Sequence, residues 1–114
     1  MIRTILCVDN DPVAQEKLTG MLEGFGYQVR PAASVHQALQ VLDDSGIDGV
    51  LLEYDLPDDS GANLRAHINR HWPEMPVLMF AGIGSQTPFM VRFFDAYMRD
   101  AAIPQEDLLQ DLMC

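Results

Sequence analysis

Short apolar runs alternating with helically spaced apolar stripes predict an α/β fold for this 114-residue chain: one domain of five βα units, wound doubly around a parallel sheet. Three observations carry that prediction. The length suits a single hydrophobic core and leaves no room for two. No internal repeat, linker or low-complexity tract interrupts the alternation. Acidic clusters also follow the first and third apolar runs, and open parallel sheets place their ligands at the carboxyl ends of strands.

Residues 5–8 are a continuous apolar run, as expected of a strand buried on both faces. Val13, Leu18, Met21, Leu22 and Phe25 then fall at helical spacing until Gly24 and Gly26 stop the helix. Residues 27–32 form a second strand, and Ser34 with Gln37 makes a capping box ahead of Val35, Ala38, Leu39 and Leu42. Residues 49–52 are a third strand, followed by a helix that starts near Ser60 or Gly61 and carries Leu64 and Ile68. Trp72-Pro73 plugs the next loop, Pro76 introduces a fourth strand over residues 77–80, and Gly82-Ile83-Gly84 makes a turn. Two readings stay open beyond it. Thr87 and Pro88 start a helix bearing Met90, Phe93, Phe94, Tyr97 and Met98, which either runs on or stops near Phe94. The second reading is favoured: it leaves residues 96–98 as a short fifth strand, with Pro104 opening a last helix that carries Leu108, Leu109, Leu112 and Met113.

Composition excludes several function classes. Seventeen acidic against seven basic residues give a net charge of −10, which repels nucleic acid and anionic membrane surfaces unless the bases gather on one face. Arg65, Arg70, Arg92 and Arg99 are scattered along the chain, so no direct nucleic-acid contact is expected. No apolar run approaches the roughly 20 residues of a membrane span, and the first residues do not resemble a secretory signal. Cys7, in a buried strand, and Cys114 make neither a disulfide nor a metal site. These features predict a cytoplasmic protein that makes no membrane contact. His36, His67 and His71 fall on polar helix faces, are read as having no partner spacing for a metal or a catalytic base, and are expected to be surface residues.

The predicted sheet brings Asp9-Asn10-Asp11 and Glu53-Tyr54-Asp55 together at neighbouring strand ends. Here the chain resembles the receiver domain of two-component response regulators, whose flavodoxin-like fold it would share, from residue 5 to about residue 112. The resemblance rests on residues 5–12, residues 48–57 with Gly61, residues 76–81 and residues 95–100. It implies an aspartate that accepts a phosphoryl group from a kinase histidine, an acidic pair that holds Mg²⁺, and a hydroxyl and a lysine that contact the phosphoryl oxygens. It also implies a protein partner, be it a kinase, an output domain or a second receiver docked through the fourth helix, fifth strand and fifth helix.

Most of that machinery is replaced. Glu53 stands at the acceptor position, four residues before Pro57 and eight before Gly61. Its extra methylene shifts the carboxylate by roughly 1.5 Å, and misplacing a reacting group by about 1 Å can cost on the order of 100-fold in rate. Asp9 is present, but its neighbour Asn10 offers a cation a neutral oxygen only. Ala81 stands where the family has serine or threonine, and Asp100 where it has lysine. Lys17, in the first helix, is the chain's one lysine. Losing one preorganised charge-stabilising group commonly costs roughly 100- to 1000-fold.

The expected function is accordingly that of a pseudo-receiver: a protein-interaction module in bacterial signal transduction, without phosphotransfer or enzymatic activity of its own. Its degenerate pocket comprises Asp9, Asn10, Glu53, Asp55, Ala81 and Asp100. An atypical receiver that still accepts phosphate, at Asp55 for instance, is the alternative. No cofactor is expected, and Asp9, Asn10 and Glu53 are weak candidate ligands for Mg²⁺ or Ca²⁺. Tyr97 matches the family's switch aromatic, with space beside the small Ala81. Met90, Phe93, Phe94 and Met98 are candidates for partner binding, or else plain core.

Overall fold

The computed structural model describes residues 2–44 and 46–99. Four strands, β1 (Thr4–Val8), β2 (Gln28–Ala32), β3 (Gly49–Glu53) and β4 (Val77–Phe80), form one parallel sheet in the order β2-β1-β3-β4. Four helices alternate with them: α1 (Pro12–Gly24), α2 (Val35–Asp44), α3 (Gly61–His71) and α4 (Thr87–Arg99). None of these helices is long and apolar enough to cross a membrane.

Local chemistry sets each boundary. Asp11 caps α1 by accepting the Val13 N–H at 3.0 Å, with Pro12 in the first turn. After α1 the chain turns at Gly26, whose φ of +93° suits glycine. The expected capping box closes α2: Ser34 Oγ accepts from the Gln37 N–H at 3.1 Å, and Gln37 Oε1 from the Ala33 N–H at 2.9 Å. Ser60 caps α3 through the Asn63 N–H at 3.2 Å.

Side-chain alternation divides the interior between the two faces of the sheet. Ile5, Cys7, Leu51, Leu78 and Phe80 pack with Leu18 and Leu22 of α1 and with Met90, Val91, Phe94, Tyr97 and Met98 of α4. Leu6, Val8, Val50, Leu52, Val77 and Met79 pack with Val35, Ala38 and Leu42 of α2 and with Leu64 and Ile68 of α3. All four residues of β4 and all five of β3 are buried, as expected of the apolar runs 77–80 and 50–52 in a sheet covered on both faces.

The expected short strand at residues 96–98 is corrected: these residues belong to α4, which continues unbroken to Arg99. Met90, Val91, Phe94, Tyr97 and Met98 recur at helical spacing and all bury against the α1 face, which an extended segment could not achieve because it would turn alternate side chains outward. Met98 seats on Gly49, where a Cβ atom would stand 2.5 Å from its sulfur. Asp95 locks the last turns, since its carboxylate accepts the Tyr27 hydroxyl at 2.7 Å and the Arg99 Nε–H at 3.1 Å, while Arg3 donates to the Met98 carbonyl. The helix expected from Pro104 lies outside the described residues.

Candidate functional site at the strand ends

The chain leaves β1 toward β2 on one side and β3 toward β4 on the other, so a crevice opens between the carboxyl ends of β1 and β3. Asp9 follows β1 directly and Glu53 is the last residue of β3. Both are buried, at 4% and 7% exposure, which is unusual for carboxylates with no cationic partner among the described residues.

Glu53 is paired in register with Phe80, and its carboxylate crosses to the start of the β4–α4 loop, where the Gly82 N–H donates to Oε2 at 2.9 Å and Oε1 at 3.2 Å. Gly82 has φ +73°, a left-handed conformation that few other residues adopt readily. Burial pushes the Glu53 carboxyl above its ordinary value; the Gly82 N–H opposes the rise and the negative charge of Asp9 adds to it. Asp9 is likewise raised, first by burial, against the Asp11 N–H that donates to its Oδ1 at 3.0 Å. The two carboxylates therefore repel across the crevice. Beside them the Cys7 thiol is pushed up to about 12 by burial and by Asp9, which leaves it an unreactive core group.

The remaining expected site residues are distributed unevenly. Asn10, Asp55 and Ala81 all flank the crevice in exposed positions, and Asp55 forms an isolated antiparallel bridge with Ser60. Asp100 lies outside the described residues. Tyr97 is buried in the lower half of α4, whose last turns bond to Tyr27 and Arg3 ahead of β2 and β1; that places it toward the opposite end of the sheet from Ala81. Met90, Phe94 and Met98 are buried core and Phe93 is partly buried, while the exposed aromatic of α4 is Phe89. Arg99 pairs with Asp95 at that far end and leaves the crevice unscreened. Among the described residues no group of three His, Cys, Asp or Glu side chains is arranged to hold a metal ion.

Three further residues make contacts that the sequence did not show. Gln15 Nε2 donates to the carbonyls of Cys7, Asp9 and Ala32 at 2.8, 3.0 and 2.9 Å, which pins the ends of β1 and β2 beneath Asp9. Asp58, in the loop after β3, accepts the Val35 and His36 N–H groups at 3.0 Å each, and those bonds hold its carboxyl below the usual range. It ties the Glu53 loop to the start of α2. Gly61, placed in the sequence as a helix start and as part of the motif that follows β3, closes the same loop: a Cβ there would collide with the Glu53 carbonyl oxygen and with Tyr54 Cα. A backbone donor such as Gly82, or a cap supplied from 23 residues away, leaves no periodicity to read.

Comparison with known proteins agrees with this geometry. The family model for the response regulator receiver domain matches residues 5–106. The chain is 35% identical over 81 residues to the two-component response regulator-like protein APRR3 of Arabidopsis thaliana, covering 68% of this chain and 16% of that protein. It is 31% identical over 86 residues to the phosphate regulon transcriptional regulatory protein PhoB of Pseudomonas aeruginosa, covering 74% and 38% respectively. The matched region thus spans well under half of either relative. A CheY-like receiver domain from Methanospirillum hungatei superposes with a TM-score of 0.69 over 97% of this chain and 90% of that one, at 24% identity, which speaks to the fold alone. The parallel sheet, the acidic crevice between β1 and β3 and the family match together place this chain in the response regulator receiver domain family of two-component signalling.

Proposed function

We propose that this receiver domain works without phosphotransfer, as a regulatory module that binds a protein partner. The observation that carries this reading is the engagement of Glu53: the side chain at the acceptor position is buried, displaced by its extra methylene, and already bonded to the Gly82 N–H. Ala81 supplies no hydroxyl beside it, and no lysine other than Lys17, on the exposed surface of α1, exists in the chain. A phosphoryl group arriving here would meet two mutually repelling carboxylates and no side-chain cation among the described residues, the reverse of the preorganised positive environment that stabilises such a transition state.

The bond from Gly82 to Glu53 gives the module a fixed shape. A permanent carboxylate draws the β4–α4 loop onto the end of β3, so the loop is held in one position rather than switched between two. The partner, be it a kinase, an output domain or a second receiver, then reads a constant surface.

Incubating the protein with acetyl phosphate and Mg²⁺, followed by intact-mass spectrometry, tests this reading. No phosphorylated species is expected for the parent or for Glu53→Asp, since restoring the aspartate restores neither the hydroxyl nor the lysine. A stable adduct that disappears on changing Glu53 or Asp55 would establish the atypical phosphoacceptor instead. The mutual repulsion of Asp9 and Glu53 favours a second reading, in which a weakly held Mg²⁺ or Ca²⁺ ion relieves it. Calorimetry that detects no heat at millimolar concentrations of either ion would remove that reading.

A further inference from the structure

We infer that His67 and His71 form a binding site for a borderline divalent transition metal, such as Cu²⁺, Ni²⁺ or Zn²⁺, on the last turn of α3. The sequence reading gave these histidines no shared role, but they lie four residues apart on one helix and therefore stack one turn above the other. Their ring centroids are 4.3 Å apart with the planes inclined at 40°. Two imidazole nitrogens bound to one zinc at about 2.0–2.1 Å and a tetrahedral angle stand roughly 3.3 Å apart. His71 is exposed, so its ring can turn about its side-chain torsions toward that separation while the backbone stays in place. The same spacing of two histidines on one helical face serves zinc in helical metalloprotease motifs.

The surroundings suit a cation. His71 ends α3, where the unpaired carbonyls of the last turn present partial negative charge. It also borders a shallow surface groove together with Asp48 and Glu74. Arg65 and Arg70 are the opposing charges on the helix, set against a chain that carries −10 overall. No third His, Cys, Asp or Glu completes the set among the described residues, so the ion keeps water in its remaining positions and the site is an open one. Imidazole pairs select borderline metals, with affinity rising from Co²⁺ through Ni²⁺ to Cu²⁺ and falling again at Zn²⁺, and they do not attract Mg²⁺ or Ca²⁺. The site is thus separate in chemistry from the carboxylate crevice. It is separate in place too, because the end of α3 leads into the start of β4.

Trp72, the chain's one tryptophan, reports on the site from within: its ring lies 6.3 Å from His67 and 6.1 Å from His71. Titration of the full chain with Cu²⁺ in a non-chelating buffer, followed by Trp72 fluorescence and by calorimetry, tests the assignment. We expect saturable quenching at one ion per chain, unaffected by millimolar Mg²⁺. His67→Ala and His71→Ala should each weaken binding by about tenfold or more, since even outer partners of metal ligands commonly cost 10- to 100-fold. His36→Ala should leave it unchanged. Should His67→Ala disturb α3, His67→Gln keeps the side chain's bulk and polarity and is expected to lose the metal all the same, with its helical circular dichroism intact. Absence of saturable quenching, or undiminished affinity in the folded His67 and His71 variants, would overturn the assignment.

Discussion

Asp95 and Glu53 are both buried carboxylates, yet the two ends of the molecule treat them in opposite ways. Asp95, at the foot of α4, accepts the Tyr27 hydroxyl and the Arg99 guanidinium, so groups from two elements converge on its charge. Glu53, at the mouth of the crevice, accepts from the backbone N–H of Gly82 and faces another buried carboxylate. The foot of α4 is built as a lock, where a buried charge is retained because partners satisfy it. The crevice holds charge that the fold compensates poorly, which is a mark of a site retained for what it does rather than for stability.

The largest effect should come from breaking the lock. Asp95→Ala removes a hydrogen-bonded buried charge and strands the Tyr27 hydroxyl, an exchange that costs about 2–3 kcal/mol. Urea denaturation would show it as a lowered midpoint. A cost near zero would mean that Tyr27 and Arg99 are satisfied equally well by water and that packing alone holds α4.

The lock also has a pH signature. Burial, and then the bond to Asp95, push the Tyr27 hydroxyl from its ordinary value of 10.0 up to about 12. A group whose value is raised in the folded state contributes stability that is fully present below the unfolded value and is lost as pH climbs through the folded one. Stability should therefore fall between about pH 10 and pH 12, by roughly 2–3 kcal/mol. Tyr27→Phe should lack that limb of the profile, as thermal melts at stepped pH would reveal.

The crevice should respond with the opposite sign. Glu53→Gln keeps an oxygen for the Gly82 N–H and removes both the buried charge and its repulsion with Asp9. At neutral pH the variant should be more stable by about 1 kcal/mol, within the range typical of relieving a functional site. Because the Glu53 carboxyl is raised in the fold, its penalty appears as pH rises past the ordinary carboxylate value of 4.5. Parent and variant should thus converge in acid. A variant less stable than the parent at pH 7 would show that Glu53 strengthens the fold and would remove the contrast with Asp95.

The same contrast explains how much was legible in the sequence. The four strands and the first three helices were, because parallel strands buried on both faces read as apolar runs and helices as periodic stripes. Asp9 and Glu53 were placed at the crevice by strand ends alone. Residues 96–98 were misread because three residues carry no reliable period: the alternative helix buries Tyr97 and Met98 equally well, and the deciding contacts come from Tyr27 and Arg3, about 70 and 95 residues away in the chain. The Gly82 donor and the Asp58 cap escaped for a related reason, since both depend on tertiary placement and neither alters local hydrophobicity.

The smallest effect separates the two partners of Asp95. Arg99 pairs with it one helical turn away, but the Arg99 side chain is 66% exposed, and ion pairs of that kind contribute little once solvent screening and side-chain entropy are counted. Arg99→Gln should therefore cost less than about 1 kcal/mol, and the difference from the parent should shrink as salt is added. Tyr27, buried and fixed at 2.7 Å, would then be the group that holds the carboxylate in place, with arginine as its solvent-facing cover. Denaturation of Arg99→Gln and Asp95→Ala in parallel decides the matter. If the arginine variant loses as much stability as the aspartate variant, charge pairing rather than the tyrosine closes the lock, and the foot of α4 would weaken with ionic strength as an exposed ion pair does.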